Sequence, residues 1–191
     1  MSRQLILASA SPRRTDLMNE AGLTFKVIPA DVEELEDTRL GIEPLVSQNA
    51  ALKARAVSKQ HREAIVIGAD TLVALDDHPL GKPKDLDHAF EMLSSLAGRT
   101  HVVCTGVCLS LGESGTDVQF IEQTEVTFRN LDATAIREYL GLINPLDKAG
   151  SYAAQDHGDR IIASTNGSWT NVVGLPMERL LAELEKLRLS H

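Results

Sequence analysis

Ile65–Leu75, with the sequence IVIGADTLVAL, contains the strongest strand pattern in the chain. A near-continuous run of Val, Ile and Leu is typical of a strand that is buried on both faces of a sheet. Asp70 interrupts this run, although aspartate is a poor strand former and is costly to bury without a partner. We therefore expect Asp70 to be catalytic, to bind a metal ion or to pair with a buried base, and the last alternative is purely structural.

Strand and helix patterns alternate on both sides of this segment. Before it, the sequence predicts a strand at 5–8, a helix at 12–22, a strand at 25–28, a loop at 30–43 and a helix at 44–59. After it, the sequence predicts a loop at 79–85, a helix at 86–97, a hairpin of strands 101–111 and 121–128 around a polar tip at 112–117, a helix from Asp132, a short strand at 161–163 and a last helix at 177–187. A hairpin inside a βα series indicates an α/β fold with a mixed sheet. The length of 191 residues predicts a single domain, residues 1–191.

The composition is that of a globular protein, and its charge excludes some classes of partner. The 27 acidic and 19 basic residues give a net charge of −8, which disfavours non-specific binding to nucleic acid or a membrane surface. No apolar run approaches the ~18 residues that span a bilayer, and the first residues lack the pattern of a signal peptide. Cys104 and Cys108 lack redox or zinc spacing and are predicted to be packing residues. We expect a cytoplasmic protein.

The segment Ser9-Ala-Ser-Pro-Arg-Arg14 joins the first predicted strand to the first predicted helix. Arg13 and Arg14 lie in the first helical turn, where positive charge opposes the helix dipole. A bound anion would remove this conflict, because free backbone N–H groups, serine hydroxyls and guanidinium groups all bind phosphate. The alternative is that both arginines point into water.

Further polar segments are weak indicators one by one and stronger together. They are the acidic run at 31–34, Lys53 within an apolar helix pattern, Gly81-Lys82-Pro83, the segment 147–155 and the segment 166–176. A basic group comprising Arg13, Arg14, Lys53, Lys82 and Lys148 could bind a polyanion, while Asp70 with Glu33 or Glu34 could hold a divalent ion. This combination favours metal-assisted phosphoryl chemistry.

Five of these segments, in this order, resemble the motif series of the Maf family of nucleoside triphosphate pyrophosphatases. They are Ser9-Ala-Ser-Pro-Arg-Arg14, Gly68-Ala-Asp-Thr71, Gly81-Lys-Pro83, Asp147-Lys-Ala-Gly-Ser-Tyr152 with Gln155, and Asn171-Val-Val-Gly-Leu-Pro176. The resemblance extends from about residue 5 to 187. It implies an α/β fold with a long curved mixed β-sheet flanked by helices and two lobes around a central cleft. It also implies a cytoplasmic enzyme, commonly a homodimer, that uses a divalent metal such as Mg²⁺ or Mn²⁺ to hydrolyse a nucleoside triphosphate to the monophosphate and pyrophosphate, clearing unwanted nucleotides.

Position by position, the resemblance also implies residue roles. Asp70 would be the proton acceptor, and Glu34 and Asp70 would hold the metal. Ser9, Arg14, Lys53 and Lys82 would bind the phosphates, while Arg13, Thr71 and Gln155 would give the specificity of the dTTP/UTP branch. The chain departs from the pattern at Leu52, where an acidic residue often precedes the lysine, and at Asp156, where glycine is common.

Whether Asp70 acts as base or as metal ligand stays open at this stage. Two other functions also stay open. One is a nucleotide-binding regulator of septum formation that needs no turnover, and the other is a phosphatase or nucleotidyltransferase on a similar phosphate site.

Overall fold

The computed structural model describes residues 3–112 and 115–189. The strands are β1 (Leu5–Leu7), β2 (Phe25–Val27), β3 (Ile65–Leu75), β4 (His78–Leu80), β5 (Thr100–Leu111), β6 (Thr116–Phe128) and β7 (Ile162–Asn166). The helices are α1 (Pro12–Glu20), α2 (Ile42–Ser58), α3 (Leu86–Leu96), α4 (Ala133–Leu140), α5 (Trp169–Val173) and α6 (Met177–Leu189). Single turns of 3₁₀ helix lie at Thr38–Leu40, Ala149–Ser151 and Gly158–Arg160.

All seven strands form one mixed sheet in the order β2-β1-β3-β5-β6-β7, with β4 paired to β3. β1 runs parallel to β2 and β3, whereas β5, β6 and β7 continue the sheet in antiparallel pairs. This arrangement, with helices flanking the sheet, confirms the predicted α/β class. In residues 3–112 and 115–189, no helix has both the length and the apolar character needed to cross a membrane.

One edge of β3 is divided between two short strands. β1 pairs with residues 65–67 and β4 pairs with residues 73–75, while β5 pairs with residues 65–74 on the other edge. Residues 68–72 of β3 therefore have no strand partner on the first edge among the described residues. This open segment contains Asp70.

Several predicted boundaries were wrong. The loop predicted at 79–85 begins inside β4, because short edge strands tolerate proline, here Pro79. β6 begins at Thr116 rather than residue 121, because its first residues, although polar, pair with the end of β5. α2 begins at Ile42 rather than Pro44, and α5 was not predicted. Residues 113 and 114 of the predicted polar tip lie outside the described residues.

One face of the sheet is covered by α2, which lies unusually close to β3 and β5. A Cβ atom added at Gly68 would overlap the carbonyl oxygen of Ala50, and one at Gly106 would lie 2.5 Å from the carbonyl oxygen of Val46. Both helix residues are buried. The two glycines therefore allow the helix backbone to rest directly on the sheet.

The helices on the opposite face form two groups. α1 and α6 pack with Ile65 and Ile67 of β3, whereas α3 and α4 pack with Val73 and Leu75. The directly paired Thr71 and Thr105 lie between these two apolar groups. A polar boundary therefore crosses this face at the level of the open segment of β3.

Both cysteines are buried, as the sequence predicted. Burial raises the pKa of Cys104 to about 11 and that of Cys108 to about 12. Both thiols are therefore protonated at neutral pH and act as apolar packing groups.

His101 is buried in an aromatic cluster away from the open segment of β3. Its ring lies 4.8 Å from that of Phe128 and 5.4 Å from that of Tyr152, measured between ring centres. Nε2 lies 2.9 Å from the Tyr152 hydroxyl, and Nδ1 has no hydrogen-bond partner in the described part of the chain. Burial lowers the pKa of His101 to about 4, so the ring is neutral at pH 7.

We expect this histidine to make the fold acid-sensitive. An unfolded histidine titrates near pH 6.5, so as the pH falls towards 4 the unfolded state takes up the proton first and stability is lost. The full effect is roughly 3 kcal/mol. Urea unfolding of the wild type and His101→Gln at pH values from 7.5 to 4 should show a smaller loss in the variant. The same loss in both proteins would contradict this assignment.

Candidate active site

The open segment of β3 lies just beyond the carboxyl end of β1. The backbone N–H of Ala8 still donates to the Ile67 carbonyl at 2.8 Å, after which the chain turns into α1. The next outward carbonyl of β3, that of Ala69, accepts from Arg14 Nη1 at 2.9 Å and from Lys53 Nζ at 3.4 Å. In open α/β sheets, ligands bind in crevices beyond the carboxyl ends of parallel strands. This position is therefore the candidate active site.

The Asp70 side chain lies on the face that α2 covers and is 11% exposed. Its Oδ1 accepts a charge-assisted bond from Lys53 Nζ at 2.8 Å, and its Oδ2 accepts from Asn49 Nδ2 at 3.2 Å. Lys53 Nζ also lies 3.0 Å from Oε2 of Glu34, whose side chain is half exposed. The structure thus brings three predicted site residues into one cluster, in which a lysine lies between two carboxylates. Asp70 is therefore paired with a buried base, Lys53, which was one of the three alternatives for this residue. The cluster is still open to solvent, because half of the Glu34 side chain is exposed.

This cluster fits a divalent metal ion. Asp70 and Glu34 both contact one cation, the Lys53 ammonium, so the two carboxylates already lie close together. Mg²⁺ is commonly held by one or two carboxylates together with water and substrate phosphates. Neither this cluster nor any other part of the described chain brings together three or more His, Cys, Asp or Glu side chains that could hold a metal ion. The remaining ligands would therefore come from water and the substrate.

Arg14 forms a second network, from the opposite face of the sheet. Its Nε donates to the Gly174 carbonyl at 2.8 Å, its Nη1 to Ser9 Oγ at 3.1 Å and its Nη2 to Thr71 Oγ1 at 3.0 Å. Burial lowers the pKa of Arg14, and the negative charge of Asp70 opposes this effect. With the Ala69 carbonyl, the guanidinium makes four internal hydrogen bonds, so most of its five N–H groups are already used. Arg14 therefore connects α1, β3 and the end of α5.

Arg13, the neighbour of Arg14, is in a different environment. Its side chain is partly exposed, and the described residues offer it no hydrogen bond. The positive charge of Arg13 acts on Asp147: burial would raise the pKa of Asp147, but the hydrogen bond and charge of Lys148, with Arg13, hold it below its ordinary value. Arg13 thus keeps its guanidinium available for a ligand beside the segment that begins at Asp147.

Lys82 and Gln155 are exposed, and neither side chain makes a hydrogen bond within residues 3–112 and 115–189. Their two loops are joined, because the Gly150 N–H donates to the Gly81 carbonyl at 3.1 Å. The structure therefore brings these loops together without bringing the two side chains into the Asp70 cluster.

Sequence reasoning missed Asn49 and Thr105. Asn49 lies four residues before Lys53, so both side chains project from one side of α2, and this spacing was the available signal. Thr105 Oγ1 lies 3.0 Å from Thr71 Oγ1. Asn171 belonged to a recognised motif, but its buried amide, which donates to the Val103 carbonyl and to Thr124 Oγ1, was not foreseen.

Comparison with known proteins gives consistent relatives over nearly the whole chain. A curated relative from Akkermansia muciniphila, named dTTP/UTP pyrophosphatase, is 47% identical over 185 residues, which cover 96% of each protein. Relatives of the same name from Bacillus cytotoxicus and Nitratidesulfovibrio vulgaris are each 45% identical, covering 96% and 94% of this chain and 95% and 86% of their own lengths.

The comparison with family models agrees with these relatives. The model described as Maf-like protein matches residues 4–187, which include the open segment of β3 and both networks around it. The chain therefore belongs to the Maf family.

Proposed function

We propose that this protein is a pyrophosphatase that hydrolyses dTTP and UTP to the monophosphate and pyrophosphate, with a housecleaning role in the nucleotide pool. The Asp70–Lys53–Glu34 cluster at the open edge of β3 carries the proposal, because it places a buried carboxylate beside a lysine ammonium just beyond the carboxyl end of β1, the position at which open α/β sheets bind ligands. The names of the relatives support the same substrates.

The available cations fit a triphosphate. The side chains of Arg13 and Lys82 make no hydrogen bond within the part of the chain that the structure describes. Arg13 precedes Arg14, which contacts the open segment, and Lys82 follows Gly81, whose loop is bonded to Gly150. The start of α1 adds backbone N–H groups, since Ser11 makes no side-chain capping bond there. Ser9 and Arg14 are held in place beside this helix end. These groups would bind the phosphates and stabilise the pyrophosphate as it leaves.

In the proposed reaction, Asp70 orients a water molecule and accepts its proton while the water oxygen attacks the α-phosphorus of the triphosphate. The bond between the α- and β-phosphates breaks, and the leaving oxygen departs on pyrophosphate. Lys53 and Asn49 fix the Asp70 carboxylate during this step. Asp70 and Glu34 would hold Mg²⁺ or Mn²⁺, which would supply neutralisation of phosphate charge. We also propose a homodimer in the cytoplasm, without nucleic-acid or membrane partners.

The test is a nucleotide panel with Mg²⁺ or Mn²⁺, followed by separation of mono- and diphosphates, phosphate and pyrophosphate. We expect dTTP and UTP to give the monophosphate and pyrophosphate. Release of inorganic phosphate with a diphosphate would instead indicate a phosphatase. Nucleotide binding without turnover would favour the septum-regulator alternative.

Gln155 should affect base selectivity more than overall activity. Uracil and thymine present two carbonyl acceptors around an N3–H donor, and a glutamine amide offers the matching donor and acceptor. Cytosine reverses part of this pattern, so the wild type should prefer UTP to CTP and Gln155→Ala should narrow the ratio of their kcat/KM values. Gln155 is exposed in the structure, so an unchanged ratio would make it a surface residue only.

A further inference from the structure

Asn49 uses its whole side chain to join three parts of the site. It is 3% exposed and lies on α2. Its Oδ1 accepts from the backbone N–H of Leu35 at 2.8 Å, and its Nδ2 donates to the carbonyl of the same residue at 3.0 Å. The second hydrogen of Nδ2 is directed to Asp70 Oδ2 at 3.2 Å. One amide therefore holds both the backbone beside Glu34 and the carboxylate of Asp70.

The segment that carries Glu34 has little other support. Residues 28–37 form neither helix nor strand, and most of their side chains are exposed. Asn49 pairs with Leu35 as a neighbouring strand would, because it satisfies the N–H and the carbonyl of one residue together. Glu34 immediately precedes this anchored residue, and its Oε2 lies 3.0 Å from Lys53 Nζ. The distance between the two site carboxylates thus depends on this pair of bonds.

We propose that Asn49 is a positioning residue that sets the place of Glu34 relative to Asp70, a role that rests on the proposed pyrophosphatase activity. Only an amide of this size fits the geometry, since a carboxylate lacks the donors and an aliphatic side chain lacks both functions. Substituting the groups that orient metal-binding side chains typically costs about 10–100-fold in metal affinity or activity.

Asn49→Leu tests the proposal, because leucine keeps the branched shape of the side chain and removes all three bonds. Gln48→Leu is the matched control on the same helix turn, since Gln48 is exposed and makes no side-chain hydrogen bond within the described residues. We expect Asn49→Leu to lower kcat/KM for dTTP by about tenfold and the control to keep wild-type activity. Hydrogen exchange of the Leu35 amide should accelerate in Asn49→Leu alone.

A double-mutant cycle with Glu34→Ala separates positioning from general stability. If Asn49 acts through Glu34, adding Asn49→Leu to Glu34→Ala should lower kcat/KM by clearly less than the roughly tenfold loss expected in the wild-type background, a non-additive result. The loss that remains reports the direct contact of Asn49 with Asp70. Full additivity, wild-type activity of Asn49→Leu or unchanged exchange at Leu35 would each overturn the proposal.

Asn49→Ala keeps the test decisive if Asn49→Leu does not fold. It removes the same three bonds without the bulk of leucine and adds no charge beside Asp70, so kcat/KM should fall and exchange at the Leu35 amide should accelerate. Wild-type activity of Asn49→Ala would also overturn the proposal. A wild type that releases no pyrophosphate from dTTP would refute the proposed function separately, whereas Leu35 exchange would still report on the contact itself.

Discussion

Replacing Asp70 with asparagine should lower kcat/KM for dTTP by ~10²–10⁴-fold, the usual range for loss of a general base. The amide keeps the shape of the side chain and loses the negative charge that accepts the proton. The fold should survive, because Lys53 keeps its contact with Glu34 when the charge of Asp70 is removed. Steady-state kinetics with dTTP, together with a melting curve, measures both effects.

Asp117→Asn is the matched control for this variant. Asp117 Oδ2 also accepts from a cation of α2, Arg55 Nε at 2.6 Å, but no predicted site residue takes part in that pair. We expect this control to retain near-wild-type activity. Equal losses in the two variants would show that any broken ion pair on α2 suffices, and near-wild-type turnover of Asp70→Asn would remove Asp70 from the mechanism.

The second large effect is a contrast between two adjacent arginines. Arg14→Ala should lower the free energy of unfolding by about 3–5 kcal/mol, because it removes four buried or partly buried hydrogen bonds together. The Ala69 carbonyl then keeps only the longer contact with Lys53, and the Gly174 carbonyl keeps only the longer contact with Thr71. For a chain of this length, this corresponds to a fall in Tm of about 10 °C. Differential scanning fluorimetry would detect it directly.

Arg13→Ala should change Tm by only ~1–2 °C, since exposed side chains without partners contribute little to stability. Its effect should instead be a raised KM for dTTP, because its guanidinium remains free to bind phosphate. If Arg14→Ala has the same Tm as the wild type, the hydrogen bonds of Arg14 do not stabilise the fold. If Arg13→Ala loses the fold, its assignment to the substrate fails.

The sequence revealed Asp70 because a charged residue in an apolar strand violates a local rule. Arg14 could be placed near phosphate by the same kind of reasoning, but its actual partners could not, since Ala69 and Gly174 lie 55 and 160 residues away along the chain. Local patterns carry no information about such distant pairings. The internal use of its guanidinium therefore emerged only from the folded chain.

Other parts of the site differ in how well they could be foreseen. Glu34 and Lys53 were weak candidates from their residue types, and the family resemblance implied their roles. Their contact follows from the way an irregular loop crosses α2. α5 was missed because it is only five residues long, although Ser168 caps it by accepting from the Asn171 N–H at 3.2 Å. β4 was missed because a three-residue strand containing proline resembles a loop until its partner is known.

The close seating of α2 on Gly68 and Gly106 has a consequence for engineering. Glycine in a strand interior is a customary target for thermostabilising substitution, because it carries no side chain to pack. Here even alanine would push against the helix backbone, and the helix that moved would carry Asn49 and Lys53 with it. A mutant library designed to raise the thermal stability of this enzyme should therefore keep both glycines and vary the exposed residues of the helix instead.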